Sequence, residues 1–298
     1  MKIASRTIAQ PAGSFPPTKD AWTAFWQDPG QSRCVAGAPD IWQALTKHWS
    51  AFAWSLASGT RVLDLGCGAG AVARVLIAAR RDVYVTGIDF ARIPLTIYPQ
   101  VELLSDTAME SLPFAEQSFG AVVSQFGYEY SETAAAAREM TQVVAPDARF
   151  SFLVHHAESA IVASNRSRLQ IIVAFLAPAM RAAFCSADLA GLNAQLSALR
   201  ASHPHDTLLF ELARALPSRL GRAQSERIAI WKAIEDALQP ERCLAESLSA
   251  CCVAAHELDE WLEPLRSVCA LEPVAVLREP SGAAIAWKIV GARRPVCA

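Results

Sequence analysis

The sequence predicts an α/β protein: a doubly wound sheet, interrupted by a large helical insertion and finished by a C-terminal hairpin. Three observations predict it. Between residues 58 and 158, short apolar β-rich runs alternate with helical periodicity. From 159 to 267 the pattern is helical alone. Two β-rich runs, Cys269 to Leu277 and Ala283 to Val290, are then joined by Glu279-Pro280-Ser281-Gly282, which is hairpin spacing.

Taken in order, residues 1–18 hold Pro11, Pro16 and Pro17 with few apolar anchors and are expected to be a flexible tail. Residues 19–57 read as N-terminal helices broken near Asp28-Pro29-Gly30 and Pro39, with Asp40 as N-cap of a helix beginning at Ile41. Trp22, Phe25 and Trp26 share a helical face, as do Leu45 and Trp49. Arg61 to Leu65 is a short apolar run ending in glycines, as in a buried parallel strand. A helix over 70–80, a strand at Val83 to Asp89, and further strands at Val101 to Leu104 and Phe119 to Gln125 follow. A helix over 132–144 leads into a fifth strand, Arg149 to Val154. Pro204, Pro217, Pro240 and Pro264 divide the insertion into several helices, with Trp231 and Trp261 as core anchors. The sheet domain is thus expected from 58–158 with 268–294, and the insertion, at 159–267, as a substrate cap or an interface.

Composition narrows the function. Lys and Arg number 27 against 29 Asp and Glu, a formal charge of −2 in 298 residues, which argues against nucleic-acid and anionic-membrane partners. The most apolar stretch, Leu169 to Met180, lies between Arg168 and Arg181. It falls short of the roughly 18 residues a membrane span needs and reads as a buried helix. Lys2 and Arg6 precede no apolar run, so a cytoplasmic location is expected. The eight cysteines (Cys34, Cys67, Cys185, Cys243, Cys251, Cys252, Cys269 and Cys297) form no C-x-x-C pair, and no metal is expected.

The chemistry concentrates in Val62-Leu63-Asp64-Leu65-Gly66-Cys67-Gly68-Ala69-Gly70, a strand running through a glycine turn into a helix. Bare backbone lets a ligand approach, and the helix start offers free N–H groups and partial positive charge. Asp89, ending the second strand, is placed to accept from both hydroxyls of a ribose. Gly66-x-Gly68-x-x-Ala71 also meets the looser dinucleotide fingerprint, which keeps a nicotinamide dehydrogenase as an alternative.

Residues 62–70, Gly87-Ile88-Asp89-Phe90-Ala91, and Leu112-Pro113-Phe114 with Ser118 to Ser124 together resemble the class I S-adenosylmethionine-dependent methyltransferases, of the type 11-like kind. The resemblance implies a Rossmann-like seven-stranded sheet whose last strand is antiparallel. It implies that Gly66, Cys67 and Gly68 face the methionyl part of S-adenosylmethionine, that Asp64 orients its amino group, that Asp89 holds the ribose and that Phe90 packs on the adenine. The usual adenine-edge Asp aligns with Ala108, so backbone there and Met109 take its place, with Asp106 as the alternative. Gln125 falls where methionyl group and substrate meet. Pro146-Asp147-Ala148 replaces the family's Pro-Gly-Gly at the far end of the sheet.

For the transfer itself, the polar groups expected at the ligand edge are Glu129, His155 and His156, either histidine serving as base, with Tyr128, Tyr130 and Trp26 as pocket walls. The segment Gln125-Phe126-Gly127-Tyr128 lacks the Asn/Asp-Pro-Pro-Tyr/Phe element that grips a flipped base. The expected function is methyl transfer to O, N or C of a small, largely apolar or aromatic metabolite. The alternative is a protein that binds S-adenosylmethionine or S-adenosylhomocysteine without turnover, its insertion serving as a partner or homodimer surface.

Overall fold

Parallel strands covered on both faces are buried along their length and largely apolar, because neither side meets water. Arg61–Leu65 (β1), Tyr84–Ile88 (β2) and Phe119–Gln125 (β4) meet this condition: Val62 to Leu65, Val85 to Ile88 and Ala121 to Ser124 are buried without a break. In the computed structural model, which describes residues 19–28, 38–94, 98–204 and 206–294, they form the sheet's centre. The tail over 1–18, Cys34, His205 and Cys297 lie outside the described residues.

Val101–Leu104 (β3) and Val144–His155 (β5) flank that centre, giving parallel strands in the order β3-β2-β1-β4-β5. Ala284–Arg293 (β8) then pairs antiparallel with β5, Phe152 opposite Ile289. Cys269–Leu271 (β6) and Ala275–Arg278 (β7) both pair with the far side of β8. The strand order, with one antiparallel strand next to β5, is that of the Rossmann-like methyltransferase sheet. Its seventh position is shared by two short strands, because residues 272–274 interrupt the run expected from 269 to 277.

Helices cover both faces. Lys19–Gln27 (α1) and Pro39–Trp54 (α2) precede β1; Ala71–Ala79 (α3) joins β1 to β2, and Thr133–Val143 (α4) joins β4 to β5. α2 and α3 pack Leu45, Trp49, Phe52 and Leu76 against Val62, Val85 and Val123. On the other face α4 packs Ala136, Met140 and Val143 against Leu63, Phe150 and Phe152. α2 begins at Pro39 with Ala38 as N-cap, two residues earlier than expected. Proline suits the first helical position, where its missing N–H costs nothing, and Asp40 lies in the first turn, favourable to the helix dipole. β5 begins at Val144 rather than Arg149. Its register slips between Phe119–Val144 and Ala121–Arg149, and Asp147 takes φ 62° in that bulge.

The remaining helices are Ala160–Phe175 (α5), Pro178–Cys185 (α6), Leu189–Ser202 (α7), Thr207–Ala215 (α8), Gln224–Cys251 (α9), Leu258–Trp261 (α10) and Glu263–Val268 (α11). The chain divides into two compact units, one of Ser164–Glu246 and the other of the residues before and after it. The first has its own core, in which Trp231 stacks on Phe175 at 5.5 Å and donates to Glu235 at 2.7 Å. Its Arg168 pairs with Glu241 and Asp206. The apolar run read as one helix is cut where Pro178 starts α6. Among the described residues no single helix is long and apolar enough to cross a membrane.

Candidate active site

The carboxyl ends of β1, β2, β3 and β4 meet around one pocket, as parallel α/β sheets favour. After β1 the chain turns through Gly66 to Gly70, and the Cys67 N–H donates to the Ile88 carbonyl at 2.9 Å, tying the turn to β2. Gly66 needs its bare Cα, since an added Cβ would lie 3.0 Å from the Gly127 backbone. Cys67 packs towards Gly87, and burial pushes its thiol pKa well up.

Asp89 is almost fully buried. One carboxylate oxygen accepts from the Gly68 N–H and the other from the Ala91 N–H, both at 2.8 Å. Burial raises its pKa and these two donors partly offset the rise. A carboxylate has about four acceptor sites, so Asp89 retains capacity for a diol. Asp64 is fully buried and neither of its oxygens has a partner. Burial, and secondarily the neighbouring Asp89, hold its pKa well above the usual carboxylate range. An orphaned buried carboxylate is costly unless a cation joins it.

The pocket encloses about 220 Å³. Of the residues expected at the site, Gly66, Asp89, Phe90, Ala108, Met109, Tyr130 and Trp26 line it. Asp106 does not: at φ 58° it points outward to an ion pair with Lys19, which lowers its pKa, and lies 3.8 Å from Arg92. Trp22, Thr107, Glu110, Phe126, Gly127 and Ser131 complete the lining. Phe126 has φ 58°, a rare conformation for a bulky residue, fixed by its N–H to the Leu153 carbonyl at 2.8 Å.

Several expected residues stand elsewhere. Tyr128 is not a pocket wall: it is fully buried, stacks on Phe152 at 4.6 Å and donates its hydroxyl to the Thr133 carbonyl at 2.7 Å. Gln125 accepts from the Trp49 indole N–H at 2.6 Å and does not line the pocket. His155 Nδ1 lies 2.6 Å from Glu129 Oε1, which also accepts the His155 backbone N–H at 2.9 Å. This buried pair sits behind the lining: Phe126 stacks on the imidazole at 4.2 Å and Tyr130 meets it edge-on. His156 stacks on Trp287 at 4.3 Å, its Nδ1 accepts from the Glu158 N–H at 3.1 Å, and burial lowers its pKa.

These residues fit S-adenosylmethionine. Asp64 is a buried carboxyl group with no partner for either oxygen, Asp89 has acceptor capacity for a diol, and Phe90 is a half-exposed ring beside it. Among the described residues no cluster of three or more His, Cys, Asp or Glu could hold a metal.

Residues 63–152 match the family model of a methyltransferase domain. That match, the strand order and the glycine turn agree with the resemblance to class I S-adenosylmethionine-dependent methyltransferases that the motifs carry. Among solved structures, the complex between the Haloferax volcanii Trm112 methyltransferase activator and a methyltransferase gives a match at 14% identity. It covers 95% of this chain and 100% of that one, with a TM-score of 0.51, a likeness of fold. Burkholderia thailandensis 1,6-didemethyltoxoflavin-N1-methyltransferase matches at 12% identity over 93% and 87% of the two chains, TM-score 0.48. The N-methyltransferase NodS of Bradyrhizobium japonicum matches at 11% over 94% and 100%, TM-score 0.49.

Proposed function

We propose that the protein transfers the methyl group of S-adenosylmethionine to O, N or C of a small, largely apolar or aromatic metabolite. The observation that supports this best is the aromatic margin of the pocket: Trp22, Phe126 and Tyr130 line it beside the residues assigned to the cofactor. Such walls suit a flat apolar acceptor.

In this reading Asp64 pairs with the ammonium of the cofactor, Gly66 and Gly68 pass its amino-acid chain, Asp89 accepts from the ribose hydroxyls, and Phe90, Ala108 and Met109 enclose the adenine. The bound cofactor supplies a methyl group on a positively charged sulfur. The nucleophile has to lie in line behind that methyl, about 3–3.5 Å away. Charge disperses during transfer, so an apolar, water-poor wall favours the transition state over the reactants. Phe126 and Tyr130 supply that wall, and the Glu129–His155 pair holds them from behind. Because these two rings, and not His155, line the pocket, the pair acts here as a positioning group. The acceptor therefore arrives with a free lone pair or an acidic proton of its own. His156, stacked on Trp287, takes no part.

Incubation with methyl-labelled S-adenosylmethionine and fractionated metabolite extracts tests the proposal. Label in an organic-soluble small molecule is expected. Label only in protein or nucleic acid, or S-adenosylhomocysteine binding with no transfer to any fraction, would overturn it.

A further inference from the structure

α1 touches each loop that frames the pocket. After β1, Trp26 lies on the glycine turn: a Cβ built on Gly68 would sit 2.2 Å from Trp26 Cζ2. After β2, the Arg92 N–H donates to Thr23 Oγ1 at 3.1 Å, and Lys19 Nζ stands 5.8 Å from the Phe90 ring centroid. After β3, Lys19 pairs with Asp106. Trp26 is buried with Ala69 and Ala91, and Trp22, Phe25 and Ile93 pack around them.

The indole therefore occupies the space directly over the bare backbone of the turn. The cavity it leaves, about 220 Å³, falls below the roughly 300 Å³ at which small-molecule pockets usually begin. Asp89, Phe90 and Met109 front that cavity and it reaches as far as Gly66, whereas Gly68 and the orphaned Asp64, deeper at the amino-acid end, do not line it. Charge says which end of the cofactor is shut out. Its ammonium is the cation that Asp64 lacks, and an indole cannot replace it.

We propose that Trp26 is a removable plug in the amino-acid end of the cofactor cleft. With the plug seated, the pocket takes adenine nucleosides that lack an amino-acid chain, and the complete cofactor enters only when α1 lifts from Gly68. The inference rests on the cofactor reading of this cleft. Its consequence is thermodynamic: apparent affinity for the whole cofactor falls by the fraction of molecules with α1 lifted, while affinity for the nucleoside half does not. The outer tether, Lys19 with Asp106, is partly exposed, so salt weakens it and favours opening.

Calorimetry and stopped-flow fluorescence with S-adenosylhomocysteine and with methylthioadenosine separate the two halves. Trp26→Ala is expected to bind S-adenosylhomocysteine about tenfold tighter and faster, with methylthioadenosine changed by less than about twofold. Lys19→Glu, which leaves the pocket lining intact and repels Asp106, is expected to speed S-adenosylhomocysteine association in the same direction. Hydrogen exchange in α1 should rise with S-adenosylhomocysteine and stay level with methylthioadenosine. Equal weakening of both ligands by Trp26→Ala, or added protection of α1 by S-adenosylhomocysteine, would overturn the plug and leave the cofactor reading standing. Wild-type protein that binds neither probe would overturn the cofactor reading, and the plug with it.

Discussion

Gly68→Ala tests the packing of Trp26 on the glycine turn without any ligand. Gly68 has φ +51°, in the left-handed region, where a Cβ costs about 1–2 kcal/mol from backbone sterics alone. The new methyl would also lie 2.2 Å from the Trp26 ring, an overlap that overpacked sites relieve at about 1–3 kcal/mol. Gly68→Ala should therefore cost about 2–5 kcal/mol. The upper end is limited by how firmly α1 is docked, since the helix can lift instead. In a Trp26→Ala background the overlap is gone and only the backbone share remains, about 1–2 kcal/mol. A double-mutant cycle from urea unfolding midpoints should then show a coupling of about 1–3 kcal/mol. Equal cost in both backgrounds would refute the contact.

Asp89→Ala should weaken S-adenosylhomocysteine binding roughly 10–100-fold, because a hydrogen bond to a charged acceptor is worth about 1.5–3 kcal/mol; calorimetry reads this directly, and unchanged affinity would remove the ribose role. Asp64 carries a raised pKa in the free protein, and an ammonium partner would lower it, so binding should release protons between the two values. Titrations in buffers of different protonation enthalpy measure that release, and Asp64→Asn should abolish it. His48 is half-buried beside Ser151, 2.9 Å from its hydroxyl, with its pKa lowered to about 4 by loss of solvation and then by Lys288. The unfolded chain takes up this proton near pH 6.5, so stability is full above that and falls as pH drops towards 4, by on the order of 3 kcal/mol in total. His48→Gln should flatten that part of the acid limb in pH-dependent melts, and an unchanged slope would show that other groups carry it.

The parallel half of the sheet was legible because its strands are short apolar runs with one reading. Val101–Leu104 and Phe119–Gln125 fall where the pattern puts them. The far edge was less so, because residues 272–274 leave β8 while the apolar character around them continues. At the site, the contiguous motif made Gly66 and Asp89 visible. The wall after β4 was legible only in part: Tyr130 lines the pocket as expected, but the left-handed turn at Phe126 also brings Phe126 there and sends Tyr128 into the core. The spacing of Trp22, Phe25 and Trp26 showed a helical face but could not show what it covers. The Glu129–His155 pair depends on β5 and the turn after β4 meeting in space, which no local pattern encodes.

The antiparallel strand β8, which lies between β5 and the short strands β6 and β7, follows all of them in chain order. Until residues 284–293 leave the ribosome, the outer side of β5 from Arg149 to His155 has no hydrogen-bonding neighbour. A nascent or truncated chain thus carries a sticky margin of buried-type residues, Phe150, Phe152 and Val154 among them, open to pairing with other chains. Stopping translation at 283 should give a product that precipitates or is held by chaperones, whereas a soluble, protease-resistant fragment would show that the open margin is tolerated.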